Sequence, residues 1–91
     1  MVVVAHEVVL KETAVVRVGD ARVGCGNLWE RAFVRADGAT VVGMSARVSV
    51  GDHAIIVGVG SELEIDGARY VVAAIDKPAG KLGRVSLRLV P

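Results

Sequence analysis

The chain has 91 residues, 53% of them apolar, with 11 Lys/Arg against 10 Asp/Glu and a formal net charge of +1. That length admits one domain, spanning 1–91, because two cores would each be too small to stand alone. A single cysteine, Cys25, excludes an internal disulfide and fits a reducing compartment, and no run approaches the ~18 apolar residues of a membrane helix.

Trp29, Phe33 and Tyr70 are the whole aromatic set. Valine fills the gap, and a β-branched side chain suits a pleated, half-buried surface better than a helix. Charge is unevenly spread: residues 1–66 hold six Lys/Arg against nine Asp/Glu, and residues 67–91 hold five against one, about −3 followed by +4. Solvated strand faces account for this split, as does contact with an acidic partner or DNA.

Val2–Leu10 is Val-rich and predicts a first strand or an extended arm, so that 1–13 is read as a strand of this chain or one exchanged between subunits. It is not a signal peptide, since it lacks a basic leading segment and His6-Glu7 interrupts its apolar run. A soluble protein made in the cytoplasm is expected. Lys11-Glu12-Thr13 is a polar break. Ala14–Val18 is a strand with Val16 and Val18 on one face and Arg17 on the other, and Gly19-Asp20 is a turn. Ala21–Val23 continues as a short strand, and Gly24-Cys25-Gly26-Asn27 reads as a flexible link.

Leu28–Ala36 alternates, with Trp29, Arg31, Phe33 and Arg35 on one side and Leu28, Ala32 and Val34 on the other. Asp37-Gly38 supplies a hairpin turn, and Ala39–Val50 runs back, with Gly43 and Ser45 predicting a bulge or bend. Gly51-Asp52 turns again, and Ala54–Val59 is short and apolar. Leu63 and Ile65 point inward while Glu62 and Glu64 face water. Asp66-Gly67 between alternating runs is a strong hairpin signal. Positions 68–75, apolar on both faces, predict a central strand covered on each side. Val85, Leu87 and Leu89 form the inward face of the last strand. The sum is an all-β domain, a small antiparallel β-barrel or sandwich of about seven short strands.

No constellation carries chemistry. Cys25 has no basic neighbour in sequence to activate it, and Ser45 in Gly43-Met-Ser-Ala-Arg47 lacks the second glycine of a nucleophile elbow. His6 and His53 stand far apart with no ligand pair to join them. Gly58-Val-Gly60 lacks both the third glycine and the helix of a phosphate loop. No enzyme activity, metal or cofactor is expected. Trp29-Glu-Arg31-Ala-Phe33-Val-Arg35 has two readings. Its aromatics and arginines form a stacking platform for single strands, or Trp29 and Phe33, with Tyr70, anchor a core or interface while the arginine stems snorkel past.

The segments Gly60-Ser-Glu-Leu-Glu-Ile-Asp-Gly67, Tyr70-Val-Val72, Lys77-Pro-Ala-Gly80 and Val85-Ser-Leu-Arg-Leu89 follow one another as a Gly-led strand, a turn, an aromatic–Val strand, a glycine loop and a closing strand. The block from about Val48 to Val90 thereby resembles the head–tail joining proteins of tailed bacteriophages, the head completion, stopper or tail attachment proteins. The resemblance implies a virion protein of the neck, a homo-oligomeric ring expected to be a hexamer, whose partners are the portal or adaptor and the tail proteins. It implies retention of packaged DNA, and a loop with Lys77, Lys81 and Arg84 near DNA phosphates in the channel. The alternatives are a capsid decoration protein or another non-enzymatic β-barrel binding module, a tail terminator and a nucleic-acid adaptor included, and none involves a membrane.

Overall fold

The computed structural model describes residues 6–91. It is an all-β sandwich of β1 (Glu7–Lys11), β2 (Val15–Val18), β3 (Ala21–Val34), β4 (Thr40–Val50), β5 (His53–Gly58), β6 (Glu62–Ile65), β7 (Ala68–Asp76) and β8 (Arg84–Leu89). The chain ends build one antiparallel sheet, β1-β8-β7-β6, called here the terminal sheet; its middle builds the central sheet, β2-β3-β4-β5. The chain changes sheet at the β1–β2 and β5–β6 corners, and all four of those strands are sheet edges. The sheets therefore face each other without closing into a barrel.

Alternation decides which side chains fill the space between them. Leu10, Val23, Val48, Val57, Ile65, Tyr70, Val72, Val85 and Leu87 are almost wholly buried there, and burying a side chain of this size contributes about 1.5–3 kcal/mol. Tight turns set the register. Asp66 and Gly67 take φ of 50° and 81°, the double positive pair of a two-residue type I′ hairpin that joins Ile65 to Ala68. The Gly19-Asp20 and Gly51-Asp52 turns likewise join directly paired strand ends. Two of these turns meet: the Asp20 amide donates to Asp66 Oδ2 at 2.9 Å, and a Cβ on Gly19 would stand 2.2 Å from that oxygen.

Three details depart from expectation. Gly24-Cys25-Gly26-Asn27 is no flexible link but the middle of β3, which runs unbroken from Ala21 to Val34. The bulge expected on β4 lies instead on its partner, where Gly26 pairs with Arg47 and Trp29 with Ser45. Asn27 takes φ 53° there, a left-handed conformation that asparagine tolerates well. Third, β7 is an inner strand of its sheet but is covered on one side only: Tyr70 and Val72 are buried, whereas Ala73 and Ala74 are exposed. Short residues made that outer face look like core.

The described part of the first segment, Glu7–Lys11, lies antiparallel to β8 of the same chain. Met1–Ala5 lie outside the described residues.

Candidate functional site

The glycine loop after β7 is folded onto the body of the protein. Glu12 organises it: its amide donates to the Gly83 carbonyl at 2.8 Å, and its Oε1 accepts from the Gly83 amide at 2.9 Å and from Lys77 Nζ at 2.7 Å. Lys77 Nζ also donates to the Lys81 carbonyl at 3.0 Å. The Gly83 amide, followed by Lys77, holds the Glu12 carboxyl below the usual glutamate range. Of the loop cations, Lys77 is thus spent on an internal ion pair. Lys81 and Arg84 are exposed, and Arg84 stands between Lys11 and Asp76 on neighbouring strands.

The three aromatics have three different fates. Tyr70 is 0% exposed in the core. Phe33 is buried but belongs to the outer face of the central sheet, where its ring crosses β4 at Gly43 and lies over Gly58 on β5. A Cβ on Gly58 would sit 2.3 Å from that ring, so the two glycines make the trough that receives it. Trp29 is 52% exposed.

Around Trp29 the side chains are fixed. Arg31 Nε donates to Ser45 Oγ at 2.6 Å, and Ser45 Oγ, fully buried, donates to the Trp29 carbonyl at 3.0 Å. A second Arg31 nitrogen donates to the Asn27 carbonyl in the bulge. The guanidinium is thereby held 4.6 Å from the centroid of the Trp29 ring, within the range of a cation–π contact.

Strand pairing reveals a wider feature. On the same outer face lie Arg17 and Arg22, directly opposite each other on β2 and β3, and Arg47, opposite Gly26. Between Arg22 and Trp29 the β3 positions on this face are Gly24 and Gly26, and Ser49 and Val15 flank Gly24. The result is a shallow depression at Gly24 and Gly26, lined by Val15, Ser49 and Arg47, with Arg17 and Arg22 lying just past Val15. Among the described residues no carboxylate belongs to this face of the four strands. Arg17, Arg22 and Arg47 make no ion pair or side-chain hydrogen bond with a described residue.

Sequence alternation had placed Trp29, Arg31 and Phe33 together. It missed Arg17, Arg22 and Arg47, because their alignment with Trp29 depends on the extra bulge residue, which inverts the parity of β3. Arg17 facing Arg22 was readable from the two-residue Gly19-Asp20 turn alone.

Elsewhere the side chains offer little reactivity. Burial, followed by the Glu12 carboxylate, pushes the Cys25 thiol up to about 11, and its sulfur points at the Leu10 carbonyl 3.5 Å away. Among the described residues no three His, Cys, Asp or Glu side chains converge as a metal site, and no helix is long and apolar enough to cross a membrane. Compared with family models, curated proteins and solved structures, the chain matches none of them.

Proposed function

We propose that this protein is a structural assembly subunit that works through contacts with further copies of itself, as a ring in the neck of a tailed phage. One observation carries the assembly reading. β3 and β4 have 14 and 11 residues, while the longest strand of the facing sheet has 9. The inner face of β4 therefore runs from fully buried Val48 and Ala46 out to Met44, 36% exposed, and Val42, 76% exposed. Ala32 pairs with Val42, and Val34 extends the same face, being 56% exposed. The core of the sandwich simply continues past the sheet that covers it.

An apolar strip that extends a core is suited to burial by a neighbour of similar build. Glu30, on the same face, and the exposed Arg35–Asp37 pair beside it give the strip a two-signed rim, which accommodates a second copy with rotated charges. The phage neck, with its portal and tail partners, rests on the likeness of residues 48–90, which here make up the end of β4 and all of β5 to β8. Ring closure around DNA would follow from that likeness.

The test is oligomeric state. The wild-type protein is expected to elute as a closed ring of about six subunits in light-scattering chromatography, and the ring should bind a portal or tail complex. The double variant Val34→Glu/Val42→Glu, altered only at exposed positions, is expected to elute as a folded monomer. A wild-type monomer at concentrations of tens of micromolar, indistinguishable from the variant, would end the assembly reading.

A further inference from the structure

We propose that the outer face of the central sheet, from Arg17 and Arg22 through Arg47 to Trp29, binds the phosphate backbone and bases of a single-stranded nucleic acid. This face is separate from the hairpin strip invoked for assembly and does not depend on it.

Four observations converge. First, the charge is one-sided. Arg17, Arg22, Arg31 and Arg47 occupy the face, and no carboxylate of the described strands shares it. A chain with nearly equal numbers of acids and bases has sorted its charges so that one sheet surface is purely cationic. Second, Arg17 and Arg22 are directly cross-strand, an arrangement that destabilises a hairpin and that a bound anion would relieve. Guanidinium forks match phosphate oxygens in geometry and shed water readily.

Third, Gly26 leaves the floor open, while Gly24 beside it is buried between Val15 and Ser49. A Cβ on Gly26 would meet nothing within 4 Å, so a strand of nucleic acid can approach the backbone between the arginines. Fourth, an exposed indole stands at the end of this depression. Arg31 holds it from one side, and Ser45 and the Asn27 carbonyl in turn hold Arg31. A base stacked on a preset Trp29 loses little freedom that the site has not already lost, and every base has a face to offer. Stacking favours a single strand, because in a duplex the base faces are already occupied by their neighbours. A peptide rich in carboxylates would satisfy the arginines but would leave the indole without a partner.

Trp29 is the sole tryptophan, so it reports its own occupancy. The experiment titrates the intact protein with a twelve-nucleotide oligothymidine and follows Trp29 emission at several salt concentrations. The expected result is quenching. With three free arginines neutralising phosphates, affinity should fall about 20-fold between 50 and 200 mM salt, from a slope of about −0.7 per phosphate on logarithmic axes. Arg17→Gln/Arg22→Gln should flatten that slope to about one third. Trp29→Ala, followed by fluorescence of a labelled oligonucleotide, should weaken binding about 5- to 150-fold.

Arg69→Gln/Arg88→Gln on the terminal sheet serves as the control and should leave both affinity and slope unchanged. Several results overturn the proposal. One is absence of quenching at 20 mM salt, and another is equal weakening by the control pair. Heparin or phosphatidylserine vesicles binding as tightly as the oligonucleotide, with Trp29 emission unmoved, would reduce the face to a general polyanion surface. A twelve-base-pair duplex bound in preference to the strand would overturn the assignment to single strands. Thermal melts of each variant keep loss of fold apart from loss of binding.

Discussion

The two outer faces of this sandwich carry the same number of positive side chains and treat them in opposite ways. On the terminal sheet, Lys11, Arg69, Arg84 and Arg88 share the surface with Glu7, Glu62, Glu64 and Asp76, and the pairing sets Glu7 beside Arg88 and Glu64 beside Arg69, while Arg84, opposite Lys11 on one side, has Asp76 opposite it on the other. On the central sheet, Arg17, Arg22, Arg31 and Arg47 have no acid among the described strand residues of their face. The first arrangement is what solubility and stability ask of an exposed sheet. In the second, Arg31 is tied to Ser45 and Asn27, but Arg17 faces Arg22 with no acid on either side of the pair, which lowers stability. A cost that folding does not require directs attention to use, and for that reason the central sheet, not the more basic C-terminal third of the sequence, is the better place to look for a bound anion.

The central face also has its own small packed cluster, and the largest expected effect tests it. Phe33→Ala should destabilise the protein by about 3 kcal/mol, the lower end for a buried phenylalanine, as read from urea or thermal unfolding. Val9→Ala on the opposite face, where the side chain is 48% exposed, should cost no more than about 0.5 kcal/mol. Equal losses at the two positions would mean that the Gly43–Gly58 trough does not hold the ring as described.

Charge reversal gives a smaller effect with a sign that differs between faces. Arg17→Glu places a carboxylate opposite Arg22 and should raise stability by about 0.2–1 kcal/mol, whereas Arg88→Glu places it opposite Glu7 and should lower stability by a similar amount. Both shifts should shrink at high salt, where exposed charges are screened. If the two variants move in the same direction, the contrast between the sheets is not electrostatic.

Much of this molecule was legible before any coordinates. Asp66-Gly67, Asp37-Gly38, Gly51-Asp52 and Gly19-Asp20 each declared a turn, and period-two alternation around them placed Val16 with Val18 on one face and Leu63, Ile65, Val85 and Leu87 inward; in the sandwich Val16 is partly buried and the others are buried. Alternation fails where its parity changes. Gly24-Cys25-Gly26-Asn27 has the composition of a link, but a strand paired on both sides supplies the hydrogen bonds that override composition. The bulge it contains sends Val23 and Cys25 inward before it, and Leu28 after it. Reading Trp29 with Arg47 and Arg17 requires knowing that step. Lys77 failed differently: its partner Glu12 lies 65 residues away, and nothing local marks either as half of an ion pair.

The Lys77–Glu12 contact belongs to neither face and joins the β7–β8 loop to the β1–β2 corner, where the chain passes between the sheets and the smallest effect is expected. Thr13, next in sequence, takes φ 69°, a left-handed conformation unfavourable for a β-branched residue, so the corner depends on neighbouring contacts to keep it. Glu12 supplies several of them through Gly83 and Lys77, and those bonds favour its ionised form. Its carboxyl is held below the ordinary value of about 4.3, so the stabilisation is complete above that value. It is lost as pH falls through the lower value of the folded protein. Melting temperatures of the wild type and Glu12→Gln should therefore differ by a constant amount from pH 7 down to about 5, with the wild type higher. The gap should close as the pH drops further, because protonated glutamate and glutamine then present nearly the same group to Gly83 and Lys77. A gap that persists to pH 3 would show that shape, not charge, holds the corner.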